Sequence, residues 1–122
     1  MRALVVGVTA FVSVAAVGCG GTSAQVDVGG GAKASQAPAE IAAYGCGACH
    51  TIAGISGANA HVGPSLSGFA ARRYIAGRLP NTPANLVEWV RHPQRVDPGN
   101  VMPYLGVSES DARDIAAYLY SH

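Results

Sequence analysis

Charge is scarce in this chain and almost balanced: 8 Lys and Arg stand against 7 Asp and Glu in 122 residues, a formal net charge of +1. Such a balance gives no pull toward nucleic acid or toward an acidic surface, and by itself names no partner. Apolar runs of bilayer length are missing too. The longest, Ala3 to Gly18, falls short of the roughly 20 residues a span requires and is followed at once by small polar residues. No stretch keeps the alternation of a half-buried strand. Methionine is nearly absent, Met102 being the only one after Met1, and the three cysteines occupy two unlike settings.

The first setting is the start of the chain. Arg2 followed by the run to Gly18 has the layout of a secretory signal, so residues 1–18 read as a leader and the mature protein as exported. Cys19 follows Ala16-Val17-Gly18, which resembles the lipobox of bacterial lipoproteins, although Ala16 stands where leucine is commoner. Two readings follow: acylation of Cys19 as a lipid anchor, or cleavage beyond it. The first places the protein on the periplasmic side of the bacterial inner membrane or at the cell surface. Residues 19–37 are dominated by small residues without apolar period and read as a flexible tether.

The remainder, residues 38–122, is a module whose size makes an apolar core marginal without a staple or cofactor. Three helices are expected in it. The first starts at Pro38 and runs through EIAAYGCGACH, with Gly45 either easing a close helix crossing or weakening the helix end. The second is capped by Thr82, carries Leu86, Trp89 and Val90 on one side, and stops at His92 before Pro93. The third is capped by Ser108 and has Ala112, Ile115, Ala116 and Leu119 as its apolar stripe. Between the first two lies a long loop broken by Gly and Pro, of the kind that needs something to wrap around.

The second cysteine setting is YGCGACHTIAG, from Tyr44 to Gly54. Positions 46, 49 and 50 are i, i+3 and i+4 of a helical turn, so two sulfurs and an imidazole can face one object. Cys-x-x-Cys-His is the attachment signature of c-type haem, in which both thiols add to vinyl groups and the histidine ligates the iron. Three other chemistries use cysteines at this spacing. A redox dithiol wants a thioredoxin-like βαβ pattern, which is not visible. Structural zinc wants four ligands, and no second ligand pair exists. A disulfide would close too small a loop to stabilise much and leave His50 unexplained.

A haem iron held by one histidine has a sixth position, and a methionine thioether there raises the potential. Met102, with Gly99 before it and Pro103 after it, is presented on a stiffened loop; the bland alternative is a gap-filling core methionine. His61 and His92 are rival ligands, both expected at the surface.

The residues GCGACHTIAG, GPSL at Gly63 to Leu66, the stretch from Ala76 to Pro103, and DIAAYL in the last helix resemble class I cytochromes c, closest to the cytochrome c domain fused to subunit II of haem-copper oxidases. The resemblance covers Tyr44 to Tyr120. It implies an all-α fold of helices and long loops around one covalent haem c, with Cys46 and Cys49 as thioether anchors, His50 as proximal ligand and Met102 as distal one. Pro64 matches the proline whose carbonyl accepts the His50 N–H, a contact that fixes the tautomer. Gly45 and Tyr118 match a crossing of first and last helices. Trp89, with Leu86, is expected to wall the haem pocket unless it is plain core. Arg72, Arg73 and Arg78 are candidates for the haem propionates, for a docking surface, or for a solvated loop.

The same resemblance implies a one-electron carrier, not itself an enzyme, fed by a quinol-oxidising complex and discharging to a terminal oxidase. No copper-binding β-domain precedes the module, so a free-standing or lipid-tethered form is expected. The alternative class is a haem peroxidase or gas sensor with a labile Met102 ligand, although the sequence places no acid–base pair for peroxide cleavage.

Overall fold

The computed structural model describes residues 25–122; the expected leader and Cys19 lie outside the described residues. Its elements are α1 (Ala37–Ala43), a 3-10 turn at Cys46–Ala48, a second at Phe69–Ala71, strands β1 (Tyr74–Ile75) and β2 (Leu79–Pro80), then α2 (Pro83–Arg91), α3 (Pro93–Val96) and α4 (Glu109–Ser121). The two antiparallel strands pair Ile75 with Leu79 around a turn in which Ala76 and Gly77 both have positive φ. Strands of two residues are too short to leave an alternation in the sequence.

The caps of the two longer helices work as the sequence suggests. Thr82 accepts a hydrogen bond from the Asn85 N–H at 3.3 Å, and Ser108 accepts one from Asp111 at 3.1 Å, each satisfying an amide that the first turn cannot. Pro93 is fully buried and starts the short α3 directly after His92. The first helix, however, is shorter than expected. It ends at Ala43, because Gly45 takes φ +73° and donates to the Ala42 carbonyl at 3.1 Å, a left-handed stop that glycine adopts without steric cost. A Cβ on Gly45 would meet nothing within 4 Å, so the helix-crossing role expected from the resemblance is corrected: this glycine ends a helix and packs against nothing. Tyr118 instead crowds Gly54, and its hydroxyl donates to the Ala53 carbonyl at 2.8 Å.

The core lies where α1 and α2 pack on α4. Ala37, Ala112 and Ala116 are wholly buried, and such small side chains let helix backbones come close, while Ile41 and Leu86 fill the space between. Each of those two contributes about 2–3 kcal/mol by leaving water. On α2 the buried residues are Leu86, Val87 and Val90, and Trp89 stays half-buried. On α4 the expected stripe is buried, but so are Asp114 and Ala117 beside it.

The extra cover comes from residues 25–33, so the reading of 19–37 as flexible tether does not hold for that part; residues 19–24 lie outside the described residues. Val28 is buried in the core cluster, its carbonyl accepts from the Arg113 guanidinium at 3.1 Å, and the Lys33 N–H donates to Asp114 at 2.5 Å. Gly29, Gly30 and Gly31 all take positive φ, which lets the segment turn under Arg113. Composition missed this because the docking energy comes from α4, far away in sequence.

Glu40 on α1 faces Asp114 and Asp111 of α4, and its Oε2 is buried without a hydrogen-bond partner. Burial first, then the charges of Asp114 and Asp111 and a hydrogen bond to Asp114, raise its pKa from 4.5 to about 6. A raised folded-state pKa means stability that is full below 4.5 and declines as pH climbs through about 6. The expected outcome is that Glu40→Gln matches the wild type in urea unfolding at pH 4 but is the more stable of the two at pH 7.5.

Candidate functional site

The Gly45 stop launches the chain into the cysteine motif, which forms a single tight turn in place of the helix expected there. The N–H groups of Cys49 and His50 both donate to the Cys46 carbonyl, at 3.2 and 3.0 Å, so the two thiols and the imidazole still issue from one turn. Both cysteines are free thiols and half-buried. Burial, with Cys49 beside it, pushes the Cys46 thiol up. Redox dithiols depend on the opposite shift, so this environment does not support that reading. Among the described residues no group of three or more His, Cys, Asp and Glu side chains converges, so the ligand set of a structural zinc is not assembled either.

His50 is held by one well-defined contact. Its Nδ1 lies 2.7 Å from the Pro64 carbonyl oxygen. A carbonyl can only accept, so Nδ1 carries the proton and the neutral ring keeps a lone pair on Nε2, the atom a metal would take. Gly63 secures the approach: its N–H donates to the Cys49 carbonyl at 2.7 Å, and a Cβ there would overlap the His50 ring. The loop is tied back by Thr51, whose hydroxyl donates to the Ala60 carbonyl at 3.0 Å and whose carbonyl accepts from Leu66 at 2.8 Å.

Met102 is half-buried on the loop between α3 and α4. Its N–H donates to Asn100 Oδ1 at 2.8 Å, and its carbonyl accepts from Gln94. Trp89 is half-buried against the core cluster. Of the rival ligands, His61 is exposed as expected; His92 is half-buried at the α2–α3 junction, its ring stacked on Tyr104 with centroids 6.0 Å apart, where an open surface position was expected. Arg72 donates to the Ser65 carbonyl and lies over the Phe69 ring, and Arg78 pairs with Asp97 at 2.9 Å, whereas Arg73 is exposed.

Sequence reasoning missed Asn81. Its amide donates to the carbonyls of Phe69 and Arg72, at 3.0 and 2.9 Å, and its oxygen accepts from Tyr120 at 2.7 Å, which fastens the long loop to α4. An asparagine beside a proline reads locally as a turn residue, and nothing local announces partners 39 positions away.

These residues fit a covalently attached haem. Two thiols and an imidazole with a free Nε2 leave one turn, and a thioether stands on a separate loop. Large apolar side chains lie exposed beside both, Val62 at 75 % next to Gly63, and Val101, Tyr104 and Leu105 next to Met102. A flat apolar group is the kind of partner such side chains cover.

Comparison with known proteins agrees with that chemistry. The Cytochrome c family model matches residues 35–122. The chain is 38 % identical over 102 residues to "Cytochrome c oxidase subunit 2" of Alkalihalophilus pseudofirmus, a match covering 83 % of this chain and 29 % of that protein. It is 34 % identical over 80 residues to the protein of the same name from Bacillus sp. strain PS3, covering 62 % of this chain and 22 % of that one. It thus spans less than a third of the length of these curated relatives. No solved structure gives a significant match.

The packing around His50 makes one position decisive. Gly63→Ala drives a methyl group into the imidazole ring, and the expected result is loss of the Nδ1–H to Pro64 bond at a cost of about 1–3 kcal/mol. Loss of the hydrogen-bonded His50 Nδ1–H resonance from the NMR spectrum, with a lower unfolding midpoint, checks it.

Proposed function

The chain belongs to the cytochrome c family, and from that premise we propose that it carries single electrons in a respiratory chain, holding one haem c through thioether bonds to Cys46 and Cys49. When bound, that haem supplies a one-electron ferric–ferrous couple. His50 offers Nε2 as the proximal ligand, Met102 its thioether as the distal one, and Trp89 part of the pocket wall. Pro64 fixes the proton of His50 on Nδ1 and so would orient the ring with Nε2 free for the iron. The observation that carries the reading is this bond, made from the histidine of a Cys-x-x-Cys-His turn whose thiols are both free to the distant Pro64 carbonyl.

The small class I cytochrome c fold suits a carrier rather than an enzyme, since its loops are pinned by side-chain hydrogen bonds and little would rearrange on transfer. Because the relatives are named as oxidase subunits, a haem-copper oxidase is the proposed acceptor and a quinol-oxidising complex the proposed donor. Cys19 is proposed as the site of a lipid anchor on the periplasmic face of the inner membrane or at the cell surface. No helix among the described residues is long and apolar enough to cross a membrane.

Mass measurement of the denatured protein, matured in a host with working haem attachment, is expected to exceed the polypeptide mass by one haem. A chain that weighs only its amino acids refutes the reading. The reduced form is expected to resist carbon monoxide at neutral pH, and rapid stoichiometric binding would point to a gas sensor or peroxidase instead. For the anchor, Cys19→Ala is expected to move the protein from the membrane to the soluble fraction released outside the inner membrane, and equal membrane retention would refute acylation.

A further inference from the structure

The loop that carries Met102 has little apolar packing to hold it. Val101 is 91 % exposed and Tyr104 63 %, and segments with few buried contacts ordinarily open at low free-energy cost. Polar contacts replace the missing packing. Asn100 takes the Met102 N–H on its side-chain oxygen at 2.8 Å and donates its own amide to the Asp97 carbonyl at 2.6 Å. Asp97 in turn is fastened from two sides, by its N–H to the Pro93 carbonyl at 2.9 Å and by its carboxylate to Arg78 at 2.9 Å.

Gln94, one turn earlier on α3, donates to the Met102 carbonyl. Beyond it the His92 ring stacks on Tyr104 at an interplanar angle of 9°. Pro103 restricts Met102 further, since the residue before a proline avoids the helical region. Both backbone polar groups of this one methionine are therefore bound by side chains, and Tyr104 beyond it rests on His92 at the α2–α3 junction.

We propose that Gln94 and Asn100 are positioning residues for Met102, a side-chain clamp that sets how often the thioether leaves its place. The inference rests on the reading of Met102 as the distal ligand. Gln94 is the better probe, because it is exposed and lies outside the loop it holds. Gln94→Glu keeps the shape but replaces the donor with an acceptor aimed at a carbonyl; Gln94→Ala removes the contact.

The experiment titrates ferric holoprotein with imidazole, which competes with the thioether and binds in proportion to the fraction of open loop. Losing one net hydrogen bond is expected to tighten imidazole binding about fivefold in both variants, with the urea midpoint of the domain unchanged. Amide exchange of Met102, whose N–H is held by Asn100, should quicken by about the same factor. Imidazole affinities and exchange rates equal to the wild type in both variants would overturn the clamp. Failure of the underlying reading looks different: Met102→Ala would then bind imidazole no more tightly than the wild type, while Gln94→Glu still quickened amide exchange.

Discussion

Helix α4 is the surface on which the rest of the domain is assembled. A helix at the edge of a small domain usually buries one stripe. Here seven of thirteen residues, Ala112, Asp114, Ile115, Ala116, Ala117, Tyr118 and Leu119, are buried, because α1, α2 and the segment before α1 each cover a different part of the circumference. The site residues sit on the chain between these packed elements. Their positions therefore follow from how α1 and α2 dock.

Two kinds of force divide the work. Burial of Ile41, Leu86, Ile115 and Leu119 fixes the helices relative to one another. The long connection between α1 and α2 adds Ile52, Phe69 and Ile75 to the same core, and between such anchors the connections are fixed by side chains bonding to backbone: Thr51 to Ala60, Asn81 to Phe69 and Arg72, Tyr118 to Ala53, and Asn100 to Met102. Such bonds are directional and depend on geometry in a way that apolar contact does not. If His50 and Met102 are ligands as proposed, directional contacts of this kind would hold their geometry when the charge at the site changes.

The pinning also bears on the N-terminal approach. Because Arg113 and Asp114 hold the backbone at Val28 and Lys33, the chain reaches the domain along α4 and not freely at Pro38. If the protein is anchored ahead of this segment, the dock shortens the reach and restricts how the domain turns toward a partner. Asp114 also ties this dock to the α1–α4 contact beside it, where burial and the charges of Asp114 and Asp111 raise the pKa of Glu40 to about 6.

What the amino-acid order determined by itself was whatever depends on near neighbours. The caps at Thr82 and Ser108, the stop before Pro93, the stripe of α4 and the Cys46, Cys49, His50 triplet are all settled within one or two turns of chain, and the family follows from them. Tertiary structure alone decided the rest. Gly45 could end a helix or ease a crossing, and only the empty space around it settled the matter. Residues 25–37 look like free chain until α4 supplies the surface that makes docking worth its entropy. Asn81 and Gln94 acquire their roles from partners that no local pattern announces, because a hydrogen bond across a fold depends on where two distant backbones come to rest.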